Sequence, residues 1–427
     1  MRSKHNLSQT EKHFSDQYLK LYAETEASVI SQLPPHLLRK KTLKNVLIIP
    51  AYNENEKFLA RLQRHSVRHC VFILVINSPD DKANADYNNF DLHKKAQSSG
   101  DKLWEAENSE VIAWDNDNVL IIIDRFSDTR KIPRKQGVGL ARKIACDIAV
   151  QLIQKEIIDS RFIHSTDADA ALPDNYFSQT ERLSKSINIS AATYNFSHTK
   201  NDTDVSEATQ IYELSMRYYV DGLRWAHSQY AFYTIGSCLA LSAEHYCKVR
   251  GFPKKSGGED FYLLNKLAKL GGIHSLDDKP IIISSRESDR VPFGTGPAVS
   301  KIISSSKKLH YPSYNPEVFV ELKKLLKQFK GLADSIGDDE EKKNMTHCQK
   351  WLCLLSQDTK AALESLNVEQ LFQHLLTNCK DSGQRKEHIN GWFDGFKTLK
   401  YIHHLQQNNY PPIPLNQALA QSTALGF

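Results

Sequence analysis

The sequence lacks long hydrophobic runs. No apolar stretch among its 427 residues approaches the roughly 20 residues that a membrane-spanning helix needs. The N-terminal sequence MRSKHNLSQTEKHFSDQYLK also lacks the apolar core of a signal peptide. We therefore expect a cytoplasmic protein without a transmembrane segment, while peripheral contact with a membrane stays open.

Paired cysteine motifs are absent as well. The sequence has seven cysteines and no CxxC pair. They are Cys70, Cys146, Cys238, Cys247, Cys348, Cys353 and Cys379. Several lie inside apolar runs, as small buried hydrophobic residues do. The cysteine pattern therefore supports neither a zinc site nor a disulfide framework.

No strong excess of charge of one sign is present. Lys and Arg number 55 against 50 Asp and Glu, and this net charge of +5 is too dilute to indicate nucleic-acid binding. The low net charge does not exclude a local binding site for an anionic ligand. Hydrophobic residues make up 40% and charged residues 25%, which excludes wholesale disorder, collagen-like repetition and a coiled coil.

Short apolar runs indicate the fold class. They occupy residues 46–49, 71–76, 119–123 and 162–163. Runs of four to six apolar residues are typical of strands buried on both faces. They alternate with helical patterns such as residues 139–153, so we expect a mostly parallel sheet flanked by helices in an α/β domain over residues 43–300.

Three other segments differ from this pattern. Residues 1–42 predict a helical extension whose helix ends before Pro34-Pro35. Residues 80–117 are polar and too long for an ordinary connection, which predicts either a lid or an inserted helix pair. Apolar residues spaced by three and four predict an α-helical C-terminal domain over residues 301–427.

Polar residues follow each predicted strand directly. The first run is followed by PAYNENE (50–56), the second by NSPDD (77–81), the third by DR (124–125) and the fourth by STDADA (165–170). In open α/β sheets, ligands bind outside the carboxyl ends of the strands. These segments offer side chains suited to a base, a ribose, phosphates and a metal.

Two aspartates in the fourth segment are candidate metal ligands. Asp167 and Asp169 are two residues apart, so in extended backbone their side chains share a face. Their oxygens suit Mg²⁺ or Mn²⁺ better than zinc. The alternative is a structural aspartate turn.

Candidate anion-binding and catalytic residues lie at two helix starts. In KQGVGLAR (135–142), two glycines and two cations open a helix whose N–H groups favour a phosphate, or else form an ordinary glycine-containing start with a solvated arginine face. Glu259-Asp260 opens another amphipathic helix, as a cap or as a carboxylate general base. Further on, the chain has two arginines, Arg286 and Arg290, and the segment FGTG (293–296). These residues either close over a diphosphate or are solvated.

In this order, the elements resemble those of an inverting family 2 glycosyltransferase of the GT-A fold. The opening strand and nucleotide loop of that family resemble VLIIPAYNE (46–54), and its glycine-rich helix resembles GVGLAR (137–142). Its metal-binding DxD motif resembles Asp167-Ala-Asp169, followed here by Pro173 and Tyr176. Its acceptor-side segment resembles GSCLALS (236–242), and its Glu-Asp pair resembles Glu259-Asp260. The resemblance covers about residues 43–300.

The resemblance implies a Rossmann-like GT-A fold and a metal-dependent, soluble transferase. The donor would be a nucleotide sugar, UDP- or GDP-linked, and the acceptor a hydroxyl compound. Asp260 beside Glu259 would be the general base, and Asp167 and Asp169 would bind Mn²⁺ or Mg²⁺. The implied donor-binding residues are Pro50, Ala51, Tyr52, Glu54, Asn77, Asp81, Lys135, Gly137, Gly139, Arg142, Asp167, Arg286 and Arg290.

Two departures from the family pattern limit what carries over. Where the family has an Asp-Asp-Gly-Ser type segment, this chain reads NSPDD, so the base-contacting aspartate is Asp80, Asp81 or absent. The Gln-x-x-Arg-Trp motif of processive members is not found, which favours transfer of a single sugar. A retaining GT-A transferase, similar to glucosyl-phosphoglycerate or mannosylglycerate synthases, and a non-catalytic sugar-nucleotide scaffold are the alternatives.

Overall fold

The structure is a computed structural model that describes residues 9–39, 43–64, 67–82, 87–183, 188–287, 294–305, 308–336 and 344–427. The chain divides into two compact units. Unit 1 takes in residues 1–199 and 234–294, and unit 2 takes in residues 200–233 and 295–427. No helix in the described ranges is long and apolar enough to cross a membrane.

Unit 1 is built on a mixed sheet. Its strands are β1 (Asn45–Ala51), β2 (Cys70–Asn77), β3 (Asp101–Ala106), β4 (Ser109–Ala113), β5 (Val119–Arg125), β6 (Phe162–Ser165), β7 (Ala170–Ala171), β8 (Ile189–His198), β9 (Leu239–Ser242) and β10 (Gly272–Ile283). Its helices are α1 (Gln9–Leu21), α2 (Thr25–Ile30), α3 (His36–Arg39), α4 (Lys57–Arg64), α5 (Tyr87–Gln97), α6 (Gly137–Gln154), α7 (Tyr176–Glu181), α9 (Ala243–Lys248) and α10 (Glu259–Leu267).

The predicted parallel core of the sheet is confirmed. The strand order is β3-β4-β5-β2-β1-β6-β9-β8-β10-β7, and the neighbours β5, β2, β1 and β6 run parallel. All eight residues of β2 are buried, as expected for a strand covered on both faces. The four predicted strands therefore form the centre of the sheet, with their carboxyl ends at one edge.

The helix pair predicted for residues 80–117 was wrong. The described part of this segment forms one helix, α5, and the hairpin β3-β4, whose strand β4 pairs antiparallel with β5 and extends the sheet. The alternative for this segment, a lid, stays a prediction. The outer strand β3 is partly exposed along its length, so its sequence DKLWEA carries no apolar run.

The N-terminal helices are fixed to α6 by a buried ionic network. Asp147 accepts hydrogen bonds from the Tyr18 hydroxyl at 2.5 Å, the Tyr246 hydroxyl at 2.9 Å and the Lys143 ammonium at 2.8 Å. The Glu24 backbone N–H also donates to Asp147, at 2.8 Å. A buried carboxylate with this many donors is satisfied, so the described part of the extension is integral to unit 1.

Unit 2 is helical, which confirms a helical C-terminal region. Its elements are α8 (Asp204–Trp225), α11 (Thr295–Ile303), a 3₁₀ helix (Lys308–His310), β11 (Pro312–Ser313), α12 (Glu317–Ser335), α13 (Met345–Cys353), α14 (Gln357–Ser365), α15 (Val368–Asn378), α16 (Ser382–Trp392), α17 (Gly395–Asn408), β12 (Ile413–Pro414) and α18 (Leu415–Leu425).

Helix α8 belongs to unit 2, although the predicted domain boundaries placed residues 200–233 with the sheet. Tyr218 and Leu223 are buried in one hydrophobic core with Val318, Phe319 and Leu322 of α12. Gly222 permits this packing, because a Cβ atom there would lie 2.6 Å from the Phe319 ring. The aromatic residues Tyr218, Tyr219 and Trp225 of α8 therefore pack in the core of unit 2.

Candidate functional site

The site lies where the central parallel strands end. β1 is followed by the loop that carries Glu54, and β6 is followed by the loop that carries Asp167 and Asp169. β1 and β6 are parallel neighbours, with Ile48 paired with Ser165, so both loops leave the same edge of the sheet. This is the edge at which open α/β sheets bind ligands.

An ion triad joins these two loops. Arg286 forms a bidentate pair with Glu54, with Nη2–Oε1 and Nη1–Oε2 distances of 2.7 and 3.1 Å, and its Nη2 lies 2.9 Å from Asp169 Oδ2. Ser285 holds the arginine in place, because its backbone N–H and its hydroxyl bond to Thr199 at 2.9 and 2.7 Å. The predicted diphosphate ligand Arg286 therefore lies between two of the predicted acidic residues.

The two carboxylates of the triad keep the Arg286 guanidinium charged. Burial lowers the pKa of Arg286, but the Glu54 and Asp169 carboxylates outweigh that effect and raise the pKa above the usual arginine value. Glu54 and Asp169 are only 12% and 14% exposed, whereas the Arg286 side chain is 34% exposed. The cation is thus the member of the triad that is most open to an incoming anion.

Arg61 is a site residue that the sequence did not reveal. From α4 its Nη2 donates to the backbone carbonyls of Ala168 and Ala170, at 2.6 and 2.9 Å, and so shapes the loop between the two aspartates. Burial lowers the pKa of Arg61, opposed by the charges of Asp169 and Glu54. In the sequence, Arg61 is an ordinary polar position of an amphipathic helix.

Arg142 links the β6 loop to the start of α10. Its Nη2 lies 2.8 Å from Asp167 Oδ1, its Nε 3.1 Å from Glu259 Oε1, and its Nη1 3.1 Å from Ser165 Oγ. The side chain is 4% exposed. Gly236 makes room for it, since a Cβ atom there would lie 2.4 Å from Nη2.

These partners differ from the predicted phosphate contact of Arg142. Burial alone would lower the pKa of Arg142, but the charges of Asp167, Glu259 and Asp260 outweigh it and raise that pKa, so the guanidinium stays charged. A buried cation between two carboxylates positions them. In this structure Arg142 orients Asp167 and Glu259 rather than facing solvent.

The two acidic residues of α10 have different environments. Gly258 precedes them in the left-handed conformation with φ 69°, and Glu259 is buried against Arg142. Asp260 is half-buried, and its Oδ1 accepts the Phe261 N–H at 2.7 Å. Burial and the charge of Glu259 raise the pKa of Asp260 to about 7. A carboxylate that titrates near neutral pH is suited to general base catalysis.

The glycines of the predicted phosphate cradle have a packing role. A Cβ atom on Gly139 would lie 2.4 Å from the Pro253 carbonyl oxygen, and one on Gly137 2.8 Å from Ser256 Cα. The Gly139 N–H already donates to the Lys255 carbonyl at 3.0 Å. The start of α6 therefore lacks this donor for a phosphate, and the phosphate role of Gly137, Gly139 and the exposed Lys135 stays a prediction.

This packing predicts a large effect of a small substitution. We expect Gly139→Ala to destabilise the protein by about 1–3 kcal/mol or more, because its methyl group would meet backbone atoms that cannot move aside cheaply. Gly331→Ala is the matched control in α12, where no atom lies within 4 Å, and we expect it to stabilise by about 0.5–1 kcal/mol. Urea unfolding checks both, and equal effects would contradict the packing role.

The predicted donor residue Asn77 connects two strand ends. Asn77 is buried, and its Nδ2 donates to the Ala51 carbonyl at 3.0 Å, which ties the ends of β1 and β2 together.

The remaining predicted donor residues have other surroundings. Asp81 forms an exposed pair with Arg134, at 2.5 Å. Tyr52 lies beside Lys82, whose Nζ is 5.2 Å from the ring centroid. Pro50 is the buried residue before Ala51 at the end of β1. Arg290 lies outside the described residues.

A substitution of Arg286 tests whether this cation receives an anionic ligand. We expect Arg286→Ala to weaken binding of a nucleoside diphosphate at least about tenfold, since hydrogen bonds to charged groups contribute about 1.5–3 kcal/mol. Arg182→Ala is the control, because Arg182 pairs with the exposed Asp278 at 2.8 Å. Calorimetric titration measures both affinities. Unchanged or tighter binding in Arg286→Ala would mean that Arg286 only neutralises Glu54 and Asp169.

The aspartates of the DxD motif, Asp167 and Asp169, are the predicted metal ligands. Asp167 is paired with Arg142 and Asp169 with Arg286. Neither aspartate belongs, within the described ranges, to a group of three His, Cys, Asp or Glu side chains whose ligand atoms all lie within 4.8 Å. Mg²⁺ is often held by one or two carboxylates together with substrate phosphates. Two hard oxygen donors at this edge fit that type of site.

Comparisons with known proteins give weak similarities. No protein-family model matches the sequence, and no curated protein sequence matches it. Among solved structures, S. aureus TarS 1–349 in complex with UDP-GlcNAc is similar at 10% identity and a TM-score of 0.37, over 87% of this chain and 99% of that one. The same fragment in complex with UDP is similar at 11% identity and a TM-score of 0.36, over 86% and 93%. Similarity at this level carries no inference about the chemistry of this chain.

Proposed function

We propose that this protein transfers one sugar from a nucleotide-sugar donor to a hydroxyl acceptor. The observation that carries the proposal is the arrangement at the carboxyl edge of the parallel strands. There, Asp167 and Asp169 meet the cations Arg142 and Arg286, and Asp260, with a pKa of about 7, follows at the start of α10. Cations, hard metal ligands and a base are the groups that such a transfer needs.

The proposed diphosphate contact follows from the exposure of Arg286, and the other donor-binding roles follow from the resemblance to the transferase family. Arg286 would exchange part of its pairing with Glu54 and Asp169 for the diphosphate of the donor, a UDP- or GDP-sugar. The β1 loop over Pro50, Ala51, Tyr52 and Glu54 would hold the nucleoside. Asp167 and Asp169 would hold Mn²⁺ or Mg²⁺, and such an ion, when bound, neutralises charge on a diphosphate.

The chemical step is a single displacement. Asp260 takes the proton of the acceptor hydroxyl as its oxygen forms a bond to the anomeric carbon of the sugar. The bond from that carbon to the diphosphate oxygen breaks, and its electron pair leaves with the nucleoside diphosphate. The anomeric configuration is inverted. Arg142 would act as a positioning residue, because it holds Glu259 next to Asp260 and orients Asp167.

A retaining transferase is the second candidate. It needs the same donor edge and no base on the acceptor hydroxyl, so it differs in what Asp260 does. The anomeric configuration of the product, measured by NMR, separates the two mechanisms. A retained anomer would remove Asp260 from the role of general base.

The proposed transfer and the non-catalytic scaffold hypothesis both require that the protein binds a nucleotide sugar, so this binding is tested first. We would measure thermal unfolding with UDP-, GDP-, ADP- and dTDP-sugars, each with Mn²⁺, Mg²⁺ or EDTA. A ligand that binds only the folded state raises the midpoint. We expect one nucleotide series to stabilise the wild type in a metal-dependent way and to fail with Asp169→Ala. Asp278→Ala, at an exposed ion pair, should behave as the wild type. No shift with any donor would contradict the proposal.

A further inference from the structure

A cluster of two histidines and a cysteine lies between α15 and α16, in unit 2. His374 is on α15, Cys379 follows its last turn, and His388 is on α16. The three ligand atoms all lie within 4.8 Å of one another. The two histidine Nε2 atoms are 3.4 Å apart. Cysteine spacing alone did not reveal this group, because its members are joined by a helix corner and not by a CxxC motif.

The distance between the two histidines fits a tetrahedral metal ion. Zinc binds histidine nitrogen at about 2.0–2.1 Å, so two nitrogens at a tetrahedral angle are about 3.4 Å apart. The Nε2–Nε2 distance already has that value. Two imidazoles and a thiolate form a borderline-soft ligand set that zinc prefers to magnesium or calcium.

A neighbouring side chain is placed to orient His374 for binding through Nε2. The amide nitrogen of Asn378, Nδ2, lies 3.2 Å from His374 Nδ1. When the ion binds, a half-turn of this amide brings its oxygen to the ring, and the amide then accepts the Nδ1–H and leaves Nε2 as the metal ligand. Metal-binding histidines almost always make such a second hydrogen bond.

The corner between the two helices is held in place by its own contacts. The Gln384 N–H donates to Asp381 Oδ1 at 2.9 Å, and the Lys380 N–H donates to Gln384 Oε1 at 2.9 Å. Arg385 anchors α16 to α12 through a bond from its Nε to the Ala333 carbonyl, at 3.0 Å. Ligands on two fixed helices need little reorganisation to bind an ion.

We propose that His374, Cys379 and His388 bind one Zn²⁺ ion, with a water molecule as the fourth ligand. Cys379 is buried, His374 is half-buried and His388 is exposed, so the fourth position faces the exposed side of the cluster. Binding converts the Cys379 thiol to a thiolate and releases its proton to solvent. The ion ties α15 to α16, and this site is independent of the proposed sugar transfer.

The test uses the full chain, stripped of metal, and titrated with Zn²⁺ or with Co²⁺ as a spectroscopic probe. We expect one equivalent of Co²⁺ to bind with a thiolate-to-cobalt charge-transfer band and tetrahedral visible bands. Cys379→Ser should remove the charge-transfer band. Cys353→Ser, at the exposed cysteine of α13, should keep it.

Two further variants keep the proposal falsifiable if Cys379→Ser does not fold. His388 is exposed, so we expect His388→Ala to fold normally. It should nevertheless lose more affinity than Asn378→Ala, which removes only a hydrogen bond to His374 and should cost roughly 10–100-fold. Zn²⁺ should raise the unfolding midpoint of the wild type and leave that of His388→Ala unchanged. Absence of stoichiometric binding to the wild type, or binding that His388→Ala leaves intact, would overturn the site.

Discussion

Replacing Asp260 with asparagine is expected to lower turnover by at least about 100-fold while donor affinity stays nearly constant. General base catalysis contributes about 10²–10⁴-fold, and the amide cannot accept the acceptor proton. The donor is expected to contact other residues, above all Arg286. Steady-state kinetics and donor titration measure the two quantities separately. Unchanged turnover would remove Asp260 from the mechanism.

The same carboxylate predicts a pH dependence of both rate and stability. Because burial and Glu259 raise the pKa of Asp260 to about 7, turnover should fall as the pH drops below about 7 and the base becomes protonated. In the unfolded chain an aspartate has a pKa of about 3.9, so the fold favours the protonated form. The wild type should therefore lose stability as the pH rises from about 4 through about 7.

The asparagine variant should not show this loss. We expect Asp260→Asn to be more stable than the wild type above about pH 7 and to approach it in stability at acidic pH, because the amide carries no charge to be desolvated. Thermal unfolding over this pH range measures the difference. A variant that is less stable than the wild type at pH 8 would contradict the cause given for the raised pKa.

Removal of the Arg142 side chain should lower the free energy of unfolding strongly, and this is the second large effect that we expect. Arg142→Ala leaves Glu259 buried without its cation and Asp167 without its partner, and breaking a buried ion pair costs about 3–5 kcal/mol. Arg134→Ala is the control, since Arg134 is 77% exposed in its pair with Asp81 and should cost about 0–1 kcal/mol. Urea unfolding gives both free energies.

A second variant separates the charge effect from loss of packing. In Arg142→Ala with Glu259→Gln, the buried carboxylate is neutral, so part of the lost stability should return. The double variant should therefore be more stable than Arg142→Ala alone. Additive destabilisation by the two changes would mean that Arg142 acts through packing and not through its charge.

The central strands were predictable because they are buried on both faces. The strand β2 reads CVFILVIN and is buried throughout, so its apolar run shows directly in the sequence. The strand β10 reads GIHSLDDKPIII with alternating exposure, and β3 lies at an edge. Such strands carry polar residues on their exposed positions, so the sequence did not distinguish them from loops.

The candidate site was predictable in its residue types but not in its pairing. Strand-end positions identified Glu54, Asp167 and Asp169, because parallel strands end at one edge. The pairs themselves join residues that are far apart in the chain, such as Arg286 with Glu54 and Arg142 with Glu259. No local pattern encodes such a pair. The same holds for His374 and His388, which meet only because two helices pack together.

Cleavage of a nucleotide sugar tests the central claim most directly. The protein would be incubated with UDP-, GDP-, ADP- and dTDP-sugars, with Mn²⁺ or Mg²⁺ and a panel of hydroxyl acceptors, and the nucleotides separated by chromatography. We expect one donor series to yield nucleoside diphosphate, at a rate that Asp260→Asn lowers about 100-fold. Release of nucleoside monophosphate, or no consumption of any donor, would contradict sugar transfer at this site.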